Sequence, residues 1–255
     1  MWRQALAQGN TDKVGKLSPD LLGPVRLALA RAEEQLPGPR GMPGGSRFEL
    51  KWDGFRAGAV CRGGEVRLWS RNGKDFTAKF PDVQKALASQ VDVDCVLDGE
   101  LVVWNGDRLD FDALQQRTVN TATTVRARLV PAKPASFVVF DVLAVDSVDI
   151  RPMRWTARRG RLESLAKNWR PPLQVSPATD DPDEAREWLA AFKSSGIEGL
   201  VVKGASSRYH PGRRDWVKVN SAGVRRVGSP ARQVSRLVST LCCARHPSTT
   251  GVADG

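Results

Sequence analysis

The segment Glu49-Leu50-Lys51-Trp52-Asp53-Gly54-Phe55-Arg56 brings an amine, two carboxylates and a guanidinium onto one short stretch of chain. On an extended strand alternate side chains point the same way, so Glu49, Lys51 and Asp53 share a face, and Gly54 lets the backbone turn just after them. Such a lysine is a latent nucleophile. At pH 7 a free lysine lies roughly three units below its pKa, so about one amine in a few thousand carries a free lone pair. Nearby cations would raise that fraction. A lone K-x-D-G also describes a solvated strand end running into a hairpin, and the remaining sequence has to separate these readings.

Four further stretches set a charged or aromatic residue at the edge of an apolar run. They are Ser70-Arg71-Asn72-Gly73-Lys74, Leu97-Asp98-Gly99-Glu100-Leu101, Phe140-Asp141-Val142-Leu143, and Glu198-Gly199-Leu200-Val201-Val202-Lys203 followed by Trp216-Val217-Lys218-Val219. Each alone has a structural explanation: Asp98-Gly99 is a common turn, Phe140 a core side chain, and Lys203 a solvated strand end.

The elements that must hold these residues can be read in order. Residues 1–23 read as a poorly ordered leader, Pro24 to Leu36 as a short helix, and Pro37 to Gly45 as a Pro/Gly connector. Strands are expected at Ala57–Cys61 and Glu65–Ser70, joined near Gly63-Gly64. Pro81 opens a helix to about Leu87, and Val96 to Trp104 is a strand ending at the Asn105-Gly106 turn. Asp110 caps a helix through Gln116, and Phe137–Val145 is a buried strand interrupted by Asp141. Helices follow at Thr156–Asn168 and Pro182–Ser195, the second capped by Asp181, and short strands at Gly199–Lys203 and Trp216–Val219. Hairpins with irregularly inserted helices favour an antiparallel α+β fold over a doubly wound parallel sheet. From Ser221 the apolar periodicity fades and Arg225, Arg226, Arg232, Arg236 and Arg245 recur, so 221–255 reads as a disordered basic tail or an arm lying on nucleic acid.

Composition narrows the class. A net charge of +11 over 255 residues points to a polyanionic partner. Cys61, Cys95, Cys242 and Cys243 lack zinc-site spacing, and His210 and His246 add little, so reduced thiols in a cytoplasmic protein are expected. The amino terminus has no signal-peptide core and no run is long enough to span a bilayer, so a membrane partner is not expected.

In this order and spacing the stretches resemble the nucleotidyltransferase motifs of ATP-dependent DNA ligases, over about Pro24 to Val219. Lys51-Trp52-Asp53-Gly54-Phe55-Arg56 after its Pro/Gly connector looks most like the small bacterial ligases of end-joining and repair. The resemblance implies an antiparallel-sheet, ATP-grasp-like adenylation fold over residues 24–220. It implies ATP with Mg²⁺ or Mn²⁺, and nicked or broken double-stranded DNA as partner. By the same resemblance Lys51 attacks the α-phosphate of ATP and becomes lysyl-AMP, while Asp53 orients the reacting groups. Lys203 and Lys218 would converge on the phosphate and lower the pKa of Lys51. Glu198 would hold the metal, with Glu100 shared between metal and ribose. Phe140 would stack on adenine, Glu49 and Leu50 would lie by the base, Arg56 would reach ribose or phosphate, and Arg71 would grip a phosphate.

Two departures from the family pattern stand out. Asn220 occupies the place of a second lysine, and the 35 residues after it show no alternation matching the oligonucleotide-binding barrel that such ligases carry. The expectation is an adenylation domain without a recognisable C-terminal barrel, able to depend on a separate chain for closure. An RNA ligase or capping-type transferase, and a non-catalytic nucleic-acid-binding remnant, are the alternatives.

Overall fold

The computed structural model describes residues 15–220; the first part of the expected leader and the whole basic tail lie outside the described residues. In chain order the strands are β1 (Gly15–Lys16), β2 (Ala30–Ala32), β3 (Ser46–Lys51), β4 (Phe55–Arg62), β5 (Glu65–Ser70), β6 (Cys95–Asn105) and β7 (Arg108–Leu109). Then come β8 (Ala135–Val145), β9 (Val148–Asp149), β10 (Leu173–Val175), β11 (Ala178–Thr179), β12 (Gly199–Gly204) and β13 (Trp216–Asn220). The main helices are α1 (Pro81–Gln90), α2 (Phe111–Val119), α3 (Trp155–Leu165) and α4 (Pro182–Phe192).

The larger sheet runs β1-β9-β8-β6-β4-β5, with β10 beside β8 and β7 beside β6; the smaller runs β11-β3-β12-β13-β2. Pairing is antiparallel except for β10 on β8 and β2 on β13. This is the expected α+β fold, and among the described residues neither sheet closes into a barrel.

Period-two alternation explains how the two sheets meet. In the smaller sheet Phe48, Leu50, Leu200, Val202, Val217 and Val219 pack with Ala185, Trp188, Leu189 and Phe192 of α4. Each buried side chain of that size contributes about 1.5–3 kcal/mol, against tenths for helix propensity, so packing decides where α4 lies. The intervening residues Glu49, Lys51, Val201, Lys203, Trp216 and Lys218 are left on the other face, where they line a cleft. In the larger sheet Ala57, Ala59, Leu97, Leu101, Phe137 and Val139 join α1 and Leu162 of α3 in a second core. Arg56, Glu100 and Phe140 face the cleft from that side. Val102 and Val138 cross into the α4 cluster and tie the two sheets together.

Several expectations change. Pro24–Leu36 is not a helix: Val25 and Leu27 are buried in alternation over Gly58, and β2 pairs with β13. Its Leu-, Ala- and Arg-rich composition favours a helix, and a sheet edge waiting for a partner overrides that preference. The last part of the leader is docked, with β1 on β9, Leu21 buried and Asp20 accepting from Arg151 Nη1 at 2.6 Å. Asp141 does not interrupt β8, because Arg158 pairs with it inside the protein at 2.8 and 3.0 Å. The caps agree with expectation: Asp110 accepts from Ala113 N at 2.9 Å and Asp181 from Asp183 N at 2.8 Å. Among the described residues no helix is long and apolar enough to cross a membrane.

Candidate active site

Lys51 ends β3, opposite Gly199 at the start of β12. Its carbonyl accepts from Glu198 N at 3.1 Å, and its Nζ pairs with the Glu198 carboxylate. Two glycines make this close approach possible. A Cβ on Gly199 would sit 2.0 Å from Val219 O, and one on Gly54 would sit 2.3 Å from Leu101 O and 2.9 Å from Glu100 Cγ. Gly54 is therefore required for contact with β6, where the sequence suggested only a turn; its φ is not positive.

A cavity of about 290 Å³ opens between the sheets, and Lys51, Asp53, Glu100, Glu198, Arg71 and Lys218 all line it. The remaining expected residues Glu49, Leu50, Arg56, Phe140 and Lys203 line it too, so the sequence-derived set converges on one space. Leu50 differs from the rest: its side chain belongs to the α4 core, so its main chain is what the cavity wall presents. Burial lowers the pKa of Lys51, and the charge of Lys218 lowers it further, while Asp53 and Glu100 act in the opposite direction. Burial raises Asp53, with Lys51 opposing. Glu100 is pushed up to about 8, chiefly by burial, partly offset by Arg56.

Lys203 is held differently from Lys218. It is 0 % exposed and pairs with Glu49, itself 2 % exposed, at 2.8 Å. Its ammonium also lies 4.2 Å from the Trp216 ring centroid and 4.7 Å from that of Phe140, and it donates to Phe140 O at 3.3 Å. A carboxylate is its nearest partner, and among the described residues Lys218 is the cation that lowers the Lys51 pKa. Glu49 Oε1 remains buried with no hydrogen-bond partner among the described residues.

Arg56 is likewise committed. Its Nε and Nη2 donate to the two oxygens of Asp98 at 2.9 and 2.6 Å, and its guanidinium lies 4.9 Å from the Trp216 ring and 5.2 Å from Phe140. Trp216 thus forms a second aromatic wall, 84° to Phe140 with ring centroids 6.2 Å apart. Sequence reasoning missed it as a site residue; its place two before Lys218 on an alternating strand was the available signal. Arg214 also lines the cavity, reaching it from the loop before β13. That position had no signal in the sequence.

The carboxylates suit a hard divalent cation sparingly. Among the described residues no group of three or more His, Cys, Asp or Glu side chains is arranged to hold a metal ion. Glu100 and Glu198 on one cavity therefore fit an ion of the magnesium type, which takes one or two carboxylates and completes its shell with water and phosphate. Glu100 must first lose the proton that burial keeps on it near neutral pH.

Two mainly antiparallel sheets closing on a half-buried lysine, with carboxylates, a cation and aromatic walls around it, define an adenylation-type nucleotidyltransferase domain. The chain belongs to the ATP-dependent DNA ligase domain family, whose profile matches residues 39–220. It is 36 % identical over 199 residues to DNA ligase C2 of Mycolicibacterium smegmatis, covering 78 % of this chain and 54 % of that protein. The ligase domain of M. tuberculosis LigD superposes with a TM-score of 0.59 at 34 % identity, over 76 % of this chain and 60 % of the other. A mycobacterial DNA ligase D complexed with ATP and MES gives 0.58 at 30 % identity, over the same shares of 76 % and 60 %. The chain spans about half the length of the curated relatives it matches.

Proposed function

We propose that this chain is the adenylating part of an ATP-dependent DNA ligase. The Lys51 amine attacks the α-phosphorus of ATP, a P–N bond forms, the P–O bond to pyrophosphate breaks, and the ammonium proton is released. AMP then passes to the 5′-phosphate of a nick or break, and the 3′-hydroxyl displaces it to seal the strand. The observation that carries this reading is the position of Lys51, semi-buried in a cavity where Lys218 opposes its protonation and Glu198 touches its amine.

The remaining residues divide the work. Phe140 and Trp216 offer apolar walls to a base, and the unpartnered Glu49 Oε1 is an acceptor suited to the exocyclic amine of adenine. Arg71 sits at the cavity rim to hold a phosphate, and Asp53 orients Lys51. Glu198 touches the amine and has to give up that contact before the amine can reach a phosphate. Magnesium held by Glu198 and Glu100 would shield the charge of the departing pyrophosphate. The ATP complex of a mycobacterial ligase D at 30 % identity supports the nucleotide assignment. Repair of nicked or broken DNA in the cytoplasm is the setting this reading favours, in line with the end-joining proteins among its relatives.

Incubation with ATP labelled at the α-phosphate, followed by a denaturing gel, tests it. Label retained on the parent and lost in Lys51→Ala is the expected result. No label at any magnesium or ATP concentration would overturn it. Nicked DNA and nicked RNA carrying 5′-AMP, with and without a separately supplied oligonucleotide-binding barrel, would then report the sealing step and its substrate.

A further inference from the structure

Behind the cavity wall lies a hydrogen-bond chain that the adenylation chemistry does not itself require. Tyr209, on the loop between β12 and β13, is 2 % exposed. Its hydroxyl donates to Asp98 Oδ2 at 2.7 Å and accepts from Ala28 N at 2.9 Å. Asp98, 0 % exposed, is the carboxylate that takes both forks of Arg56. The Tyr209 ring meets Trp216 edge-on, 78° between planes and 5.7 Å between centroids.

A buried carboxylate can rotate about its last bond unless each oxygen is held. Arg56 contacts both Asp98 oxygens, and the Tyr209 hydroxyl adds a neutral donor on Oδ2 that fixes the plane of the carboxylate. Burial beside Asp98 keeps that hydroxyl protonated. The planar guanidinium must follow the plane of the group it grips, so the orientation of Arg56 at the cavity is set from behind. The same hydroxyl anchors Ala28, next to Leu29 and Ala30 of the cavity wall.

We propose that Tyr209 is a positioning residue for the nucleotide pocket, acting through Asp98 to orient Arg56. This rests on the adenylation reading above and adds to it a residue that touches no reacting atom. Its role is in binding and leaves the chemical step to Lys51.

The test measures initial rates of self-labelling against ATP concentration for the parent, Tyr209→Phe, Arg56→Ala and the double variant, with a thermal melt of each. Phenylalanine keeps the ring packing and deletes only the hydroxyl. Loss of one hydrogen bond to a charged group predicts a rise of about tenfold in half-saturating ATP, with the maximal rate within about twofold of the parent. The double variant should match Arg56→Ala to within about twofold, because Tyr209 acts through the group already removed. A second pair, Asp98→Asn with and without Tyr209→Phe, should show the same loss of sensitivity. Unchanged half-saturation in Tyr209→Phe, or effects that multiply in both doubles, would overturn the proposal. A parent that takes up no label would instead sink the adenylation reading.

Discussion

Replacing Lys203 by methionine strands a carboxylate inside the protein, and the consequence can be worked out from the geometry. Lys203 and Glu49 have side chains 1 % and 2 % exposed and 2.8 Å apart. Removing one member of such a pair costs about 3–5 kcal/mol, because the other charge is left buried without compensation. Methionine keeps most of the length and apolar stem, so little of that loss comes from packing. The penalty carries a pH signature. Burial already raises the Glu49 pKa above its ordinary 4.5, and the Lys203 charge is the main force holding it down. Without Lys203 the folded chain keeps a proton that the unfolded chain has lost. Stability of Lys203→Met therefore falls as pH climbs from about 4.5 towards the raised folded value, by up to about 1.4 kcal/mol per unit. Urea unfolding at pH 5.5 and 7.5 should show the variant closer to the parent at the lower pH. For a domain of this size the corresponding drop in Tm at pH 7.5 is about 6–20 °C. Adding Glu49→Gln removes the stranded charge, which should recover at least half the loss and flatten the pH slope. A single variant within about 1 kcal/mol of the parent at both pH values, or a double variant no more stable than the single, would refute the buried-charge argument.

Two other outcomes are expected. Because Glu100 is raised to about 8 chiefly by burial, it is protonated in the folded chain where the unfolded chain has it ionised, so its contribution to stability declines from pH 4.5 to about 8. Melting in metal-free buffer should show Glu100→Gln gaining on the parent between pH 6 and pH 8.5; parallel curves would contradict the assignment. Lys218→Ala removes a cation that lowers the Lys51 pKa, so the midpoint of the self-labelling rate against pH should move to higher pH. A midpoint that stays in place or moves down would mean that Lys218 does not act on the nucleophile.

The alternation in Glu49-Leu50-Lys51, Val201-Val202-Lys203 and Trp216-Val217-Lys218 is visible in the sequence, and it accounts for both the apolar face under α4 and the polar face in the cleft. Period two is a local property of extended backbone, so it needs no tertiary information. The resemblance of the spaced motifs to ligases likewise pointed to Lys51, Asp53, Glu100, Glu198 and Lys218, all of which line the cavity. Pairing between distant charges was not legible. Nothing local shows that Lys203 faces Glu49, or that Arg56 is bound to Asp98 and through it to Tyr209, since these contacts join strands far apart in sequence.

The segment from Pro24 shows the same limit from the other side, its helix-favouring residues drawn out straight by the free edge of β13. The sequence by itself thus determined which residue types line the pocket and which face of each strand carries them. Only the tertiary structure decided which charges remain free to act on a nucleotide and which are spent on one another, because a charge is neutralised by whatever lies within a few ångströms in space, whatever its distance along the chain.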